Sequence, residues 1–169
     1  TSGSVFLQLG ITLARDADDW RLYAAGQLLD AGGVDGAQRV IDGVSAQSAF
    51  APDAEITRAN ILLERRNDDG AVAAAERALG AAGDRWTVVA SAADIYRIAG
   101  RSRQSIETYG RALAMVQEAK DRADVLGYRA YAHRFSGDLS RASADMRAAY
   151  EIDQSVDTRL LYVSILMDD

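Results

Sequence analysis

The chain has 169 residues, 49% of them apolar, with 19 basic and 25 acidic side chains and a net charge of −6. That length suits one domain or two small ones, and the composition is that of a folded protein. An acidic balance without Lys/Arg clusters excludes nucleic acid and anionic membranes as expected partners, and the lack of cysteine removes disulfides, thiolate metal sites and thiol catalysis. Proline occurs once, at Pro52, alanine is abundant, and no run reaches the apolar length of a membrane span. An all-α chain without membrane insertion in this segment is expected. Lys120 is the only lysine, an arginine bias that points to a GC-rich bacterial genome. No targeting signal is visible, which leaves bacterial periplasm and cytoplasm both open.

In chain order, residues 5–15 (VFLQLGITLAR) read as the second helix of a pair. First helices of further pairs are expected near 18–31, 52–66, 86–99 and 121–136, and their partners near 35–47, 70–81, 102–118 and 139–152. Asp16, Asp18 and Asp19 read as capping residues. Pro52 suits a first helical position, and Asp53 and Glu55 then favour the positive end of the dipole. Gly32–Gly33, Asn67–Asp68, Gly100 and Gly137 mark the turns within pairs. Residues 157–169 read as the first helix of a later pair, yet Leu160–Met167 (LLYVSILM) is apolar nearly all round. A terminal helix of a repeat array needs a polar outer face. The sequence is therefore expected to be a fragment of a longer protein, and in isolation to self-associate through 157–169.

The pairs repeat. GAQRVIDGV from Gly36, GAVAAAERAL from Gly70 and QSIETYGRAL from Gln104 start 34 residues apart, and RASADMRAAY from Arg141 starts 37 further on. The three extra residues fall in EAKDRAD around Lys120, between helices, where insertion is best tolerated. Four columns follow this register: Ala25, Ala59, Ala93 and Ala130; Ala37, Ala71, Ser105 and Ala142; Val44, Ala78, Ala112 and Ala149; and the larger Ile41, Ala75, Tyr109 and Met146. Small residues at fixed places let helices approach, and larger ones fill between them.

This pattern resembles the tetratricopeptide repeat (TPR) family, two antiparallel helices in about 34 residues. The best match is Trp86–Ala119, where Ala93, Tyr96, Gly100, Ser105, Tyr109 and Ala112 occupy the family's small, aromatic and glycine positions. The repeats are degenerate: Val89 and Ala92 replace the usual Trp and Leu, Arg58 and Arg129 stand where Leu is preferred, His133 where Tyr is, and Glu55 where Trp is. The resemblance implies a right-handed α-solenoid segment with repeats near 18–51, 52–85, 86–119 and 123–156 and half repeats at 4–17 and 157–169.

Motifs for chemistry are missing: there is no phosphate-loop signature, no G-x-S-x-G and no H-E-x-x-H. GGVDG at Gly32 joins two helices and reads as a turn, and His133, the only histidine, falls in a packing column. No catalytic residue, cofactor or metal site is expected, and the chain reads as non-enzymatic.

The family binds partners along a concave face lined by first helices, and helical spacing places positions 5, 9 and 12 of each repeat on one stripe. These are Leu22, Gly26 and Leu29; Ile56, Asn60 and Leu63; Ala90, Asp94 and Arg97; and Gly127, Tyr131 and Arg134, with Phe135 adjacent. The early stripe is apolar and suits a partner helix or extended peptide, or else is covered by packing. The later stripe is polar and aromatic, the composition of interaction hot spots. Asn60 matches a chaperone-clamp position in type only, since its expected Lys neighbour is Ile56. The leading expectation is a scaffold that binds a protein or peptide as part of a larger protein. A second is a periplasmic segment of an exopolysaccharide export or secretion protein, guiding a polysaccharide or docking an enzyme. A third is the regulatory arm of an enzyme encoded elsewhere in the full chain.

Overall fold

The computed structural model describes residues 18–155 and Val163, and the expected half repeats at 4–17 and, but for Val163, 157–169 lie outside the described residues. Eight helices fill 18–152: α1 (Asp18–Asp30), α2 (Val34–Ile41), α3 (Ala51–Glu64), α4 (Asp68–Ala81), α5 (Trp86–Ile98), α6 (Ser102–Met115), α7 (Ala119–Phe135) and α8 (Leu139–Ile152). No strand occurs among the described residues. Consecutive helices pack as four pairs, α1 with α2, α3 with α4, α5 with α6 and α7 with α8. The fold is all-α and of the TPR-like α-solenoid class.

The chain divides between Ala81 and Ala82 into two compact units of two helix pairs each. In the first unit α3 packs on both α2 and α1; in the second α7 packs on both α6 and α5. First helices of successive pairs are thus neighbours inside each unit.

The four sequence columns all lie in the core. Ala25, Ala59, Ala93 and Ala130 have no exposed surface, nor do Ala37, Ala71, Ser105 and Ala142. Val44, Ala78, Ala112 and Ala149 are buried, as are Ile41, Ala75, Tyr109 and Met146. Alanine at these crossings lets backbones approach, and Ile41, Tyr109 and Met146 fill the remaining space in the first, third and fourth pairs, where the second has Ala75. Ser105 is the exception in kind, because its buried hydroxyl has no hydrogen-bond partner where the matching residues are alanine.

Each pair turns in the same way. The amide of Gly33 donates to Leu28 O and that of Gly32 to Leu29 O; Asn67 and Arg66 donate to Leu62 O and Leu63 O; Arg101 and Gly100 to Tyr96 O and Arg97 O; and Asp138 and Gly137 to His133 O and Arg134 O. This paired pattern closes a helix whose next residue is left-handed. That residue is Gly32, Gly100 and Gly137 in three turns, with φ of 75°, 72° and 81°, but Arg66, with φ 58°, in the other. The second turn therefore pivots on Arg66, not on the Asn67–Asp68 pair that composition suggested.

Among the other boundaries the largest difference is at the end of α2. Helix α2 stops at Ile41, well short of 47, and Asp42–Phe50 is a run of turns. The end tightens as Gly43 and Val44 donate to Val40 O and Ile41 O, and Ser45 and Ser48, whose hydroxyls accept from the amides of Gln47 and Phe50, hold the following backbone in local turns instead of a helix. Helix α3 starts at Ala51, which places the buried Pro52 second.

Candidate functional site

The expected stripe behaves differently in the two units. In the first, Leu22 and Leu29 pack against the buried cluster of Ala25, Ala37, Ile41, Val44, Ala54 and Ile61. They serve the unit's own core. Ile56, Asn60 and Leu63 on α3 are half-buried.

In the second unit the stripe forms a connected surface. Arg97 donates from Nε and Nη2 to Asp94 Oδ1 at 2.8 and 2.6 Å, one turn back on α5. The buried Tyr109 of α6 donates its hydroxyl to the same oxygen at 3.2 Å. Burial and the Asp94 carboxylate together push the Tyr109 phenol well above its ordinary range, so it remains a neutral donor. The far side of the Arg97 guanidinium reaches α7, where its carbon lies 5.5 Å from the centre of the Phe135 ring. Phe135 is 67% exposed although it is large and apolar. Tyr131 and Arg134, on the same helix, are half-buried.

One member escaped the sequence reading. Tyr128 stacks on Tyr109 with ring centres 6.3 Å apart, and is itself 50% exposed. Tyr128, Tyr131 and Phe135 are spaced i, i+3 and i+7, so they form one aromatic stripe along α7. That spacing was the available signal. The structure thus brings Asp94, Arg97, Tyr128 and Phe135 together, Phe135 through Arg97 and Tyr128 through Tyr109.

The family's missing leucines are replaced by ion pairs. Arg58 donates to Glu55 Oε1 at 2.6 Å and to the Ile41 carbonyl at 3.1 Å, while Arg77 donates to Glu55 Oε2 at 2.9 Å. Arg129 holds Asp145 with two hydrogen bonds, Nε to Oδ2 at 2.7 Å and Nη2 to Oδ1 at 2.6 Å. His133 Nε2 lies 3.8 Å from Asp145 Oδ2, and its Nδ1 is buried without a hydrogen-bond partner. The imidazole is held below its ordinary pKa by burial, against the pull of Asp145, and is neutral at neutral pH.

No family model matches the sequence, and no curated protein sequence matches it. Among solved structures, the chain is similar to a tetratricopeptide repeat protein from Parabacteroides merdae, with a TM-score of 0.70 and 12% identity over 92% of this chain. It spans 60% of that protein's length. At that identity the likeness shows the fold alone, and the fold is TPR-like.

Proposed function

We propose that the protein is a non-catalytic scaffold that binds a protein or peptide partner on its first-helix faces, with the second unit as the working surface. The observation that carries this reading is the solvent-facing Phe135 under the Arg97 guanidinium. Two residue types enriched in interfaces, from different helices, are held in fixed relation, and Phe135 is not needed to complete the core. Asp94, Tyr131 and Arg134 belong to the same face and would supply its polar rim. Leu22 and Leu29 contribute less, because packing already uses them. Ile56, Asn60 and Leu63 remain candidates for the first unit's share of a partner. No observation favours the polysaccharide-guiding or regulatory-arm alternatives over this reading.

The test is a peptide-display selection on the folded chain, followed by affinity measurement against Arg97→Ala combined with Phe135→Ala. Peptides should be enriched and should bind the folded double variant at least about tenfold more weakly, as loss of one hot spot implies. Equal affinity would remove this surface from consideration, and a selection that enriches nothing would count against a peptide partner.

A further inference from the structure

A second polar site, sharing no residue with that face, lies between α7 and α8. At positions held by Ala24, Leu28 and Val40 in the first repeat, and by Ala92, Tyr96 and Thr108 in the third, the last repeat has Arg129, His133 and Asp145. The second repeat has one charge there, Arg58. All three residues of the last repeat are ionisable, and His133 and Asp145 are 5% and 9% exposed. Such a triad is a poor route to stability. Apolar side chains of similar volume usually do as well as a buried ion pair or better, and the orphaned Nδ1 of His133 adds a desolvation cost. The same chain shows that the fold accepts apolar residues at these positions. The last repeat departs furthest from the packing rule, and such departures are expected at functional or strained sites.

The triad opens on a cavity of about 300 Å³ lined by Arg129, His133, Arg141, Ala144 and Asp145. Beside the Asp145 carboxylate, it has donors to spare. Asp145 occupies Nε and Nη2 of Arg129 but leaves Nη1 without an acceptor among the described residues. Arg141 meets Asp138 only through Nε, at 3.4 Å, and its side chain is 74% exposed. Two guanidinium groups with spare N–H groups beside a neutral imidazole are complementary to an acceptor that carries negative charge.

We propose that this cleft binds an oxyanion, a carboxylate or a phosphate, through Arg129 and Arg141, with His133 at its side. Asp145 orients Arg129. The groups around His133 are Arg129 on its own helix and Asp138, Arg141 and Asp145 from the turn and α8. A bound anion adds negative charge to that set and so favours the protonated imidazole; binding takes up a proton.

His133 is the only histidine, so its ring signals report the site without ambiguity. The full chain, free of any tag, is titrated by NMR with phosphate and, separately, with acetate at constant ionic strength, with chloride as the reference. At least one anion should shift the ring signals saturably and raise the His133 titration midpoint. The tighter of the two identifies phosphate or carboxylate as the ligand class. Arg141→Gln, on an exposed side chain that the fold does not need, should weaken binding about tenfold, the worth of one charge-assisted hydrogen bond. Ring signals that follow chloride for both anions, or a shift unchanged in Arg141→Gln, would overturn the proposal.

Discussion

The two units use one frame for opposite purposes. Each has two helix pairs, alanine crossings and the same turn hydrogen bonds. In the first unit Leu22 and Leu29 of the stripe pack on the core and Ile56 and Leu63 are half-buried, while the long-range ion pairs Arg77–Glu55 and Arg65–Asp35 each have a largely exposed member. In the second the polarity is reversed: Arg129–Asp145 and the Tyr109 hydroxyl lie inside, and Phe135 and Tyr128 face out. The lesson is that small residues and turns set the frame, while the larger positions between them are free to carry either a core or a site.

The widest separation should appear when one partner of an ion pair is removed from each unit. Asp145→Ala leaves a largely buried Arg129 without its counter-ion and is expected to cost about 3 kcal/mol. Glu55→Ala should cost less, about 1–2 kcal/mol, because Arg77 is exposed and Arg58, though as buried as Arg129, retains the Ile41 carbonyl and lies 3.9 Å from Asp42. Arg129→Leu with Asp145→Leu should recover most of the loss, as apolar replacement of a buried pair commonly does. Native-state hydrogen exchange reads each unit separately, which matters because repeat arrays need not unfold in one step. Equal losses in the two single variants would erase the distinction between inside and outside charges.

Acid should split the units by pH. His133 is held below its ordinary value of 6.5 by burial, so the unfolded chain binds the proton more readily. Its contribution is complete above pH 6.5 and is lost as pH falls from there through the folded-state value. Asp18, in the first unit, is held below 3.8 by a hydrogen bond from Ser48, opposed by desolvation, with Arg21 adding to the first effect. Its contribution is complete above pH 3.8 and is lost only below it. Protection of α7 and α8 should therefore begin to fall once pH drops below 6.5, while that of α1 holds until below 3.8. His133→Tyr, which copies Tyr96 of the third repeat, should flatten the upper limb. A wild-type and a variant that lose protection in parallel over that range would show that His133 is not the cause.

The frame was legible in the sequence because burial at helix crossings demands small residues at a fixed spacing, and a repeat displays that demand several times over. The alanine columns and the glycines of three turns are sufficient to set the register. The ion pairs were half legible. Arg58 and Arg129 stand out as charges at apolar positions, but their partners Glu55 and Asp145 come from one turn back and from the opposite helix, a geometry that only coordinates supply. The link from Asp94 to Tyr109 was hidden for the same reason, since one residue read as surface and the other as core. The short α2 was missed because the tightening at Gly43 and Val44, and the side-chain turns of Ser45 and Ser48 that follow, run against a helical pattern that otherwise continues.

The smallest expected effect concerns the one turn that composition misplaced. Arg66 has φ 58° where the matching residues of the other three turns are glycine. A side chain in that region costs about 1 kcal/mol from the contact of its Cβ with the following carbonyl oxygen. Glycine removes that contact, but it also widens the unfolded ensemble and so returns part of the gain. Arg66→Gly should therefore stabilise the first unit by about 0.5 kcal/mol, seen as slower exchange in α3 and α4 with no change in α7 and α8. Gly100→Arg, the reverse change in the second unit, should destabilise α5 and α6 by a similar amount. If Arg66→Gly lowers stability, the arginine contributes more to that turn than its backbone costs, and the four turns are alike in hydrogen bonding but not in energy.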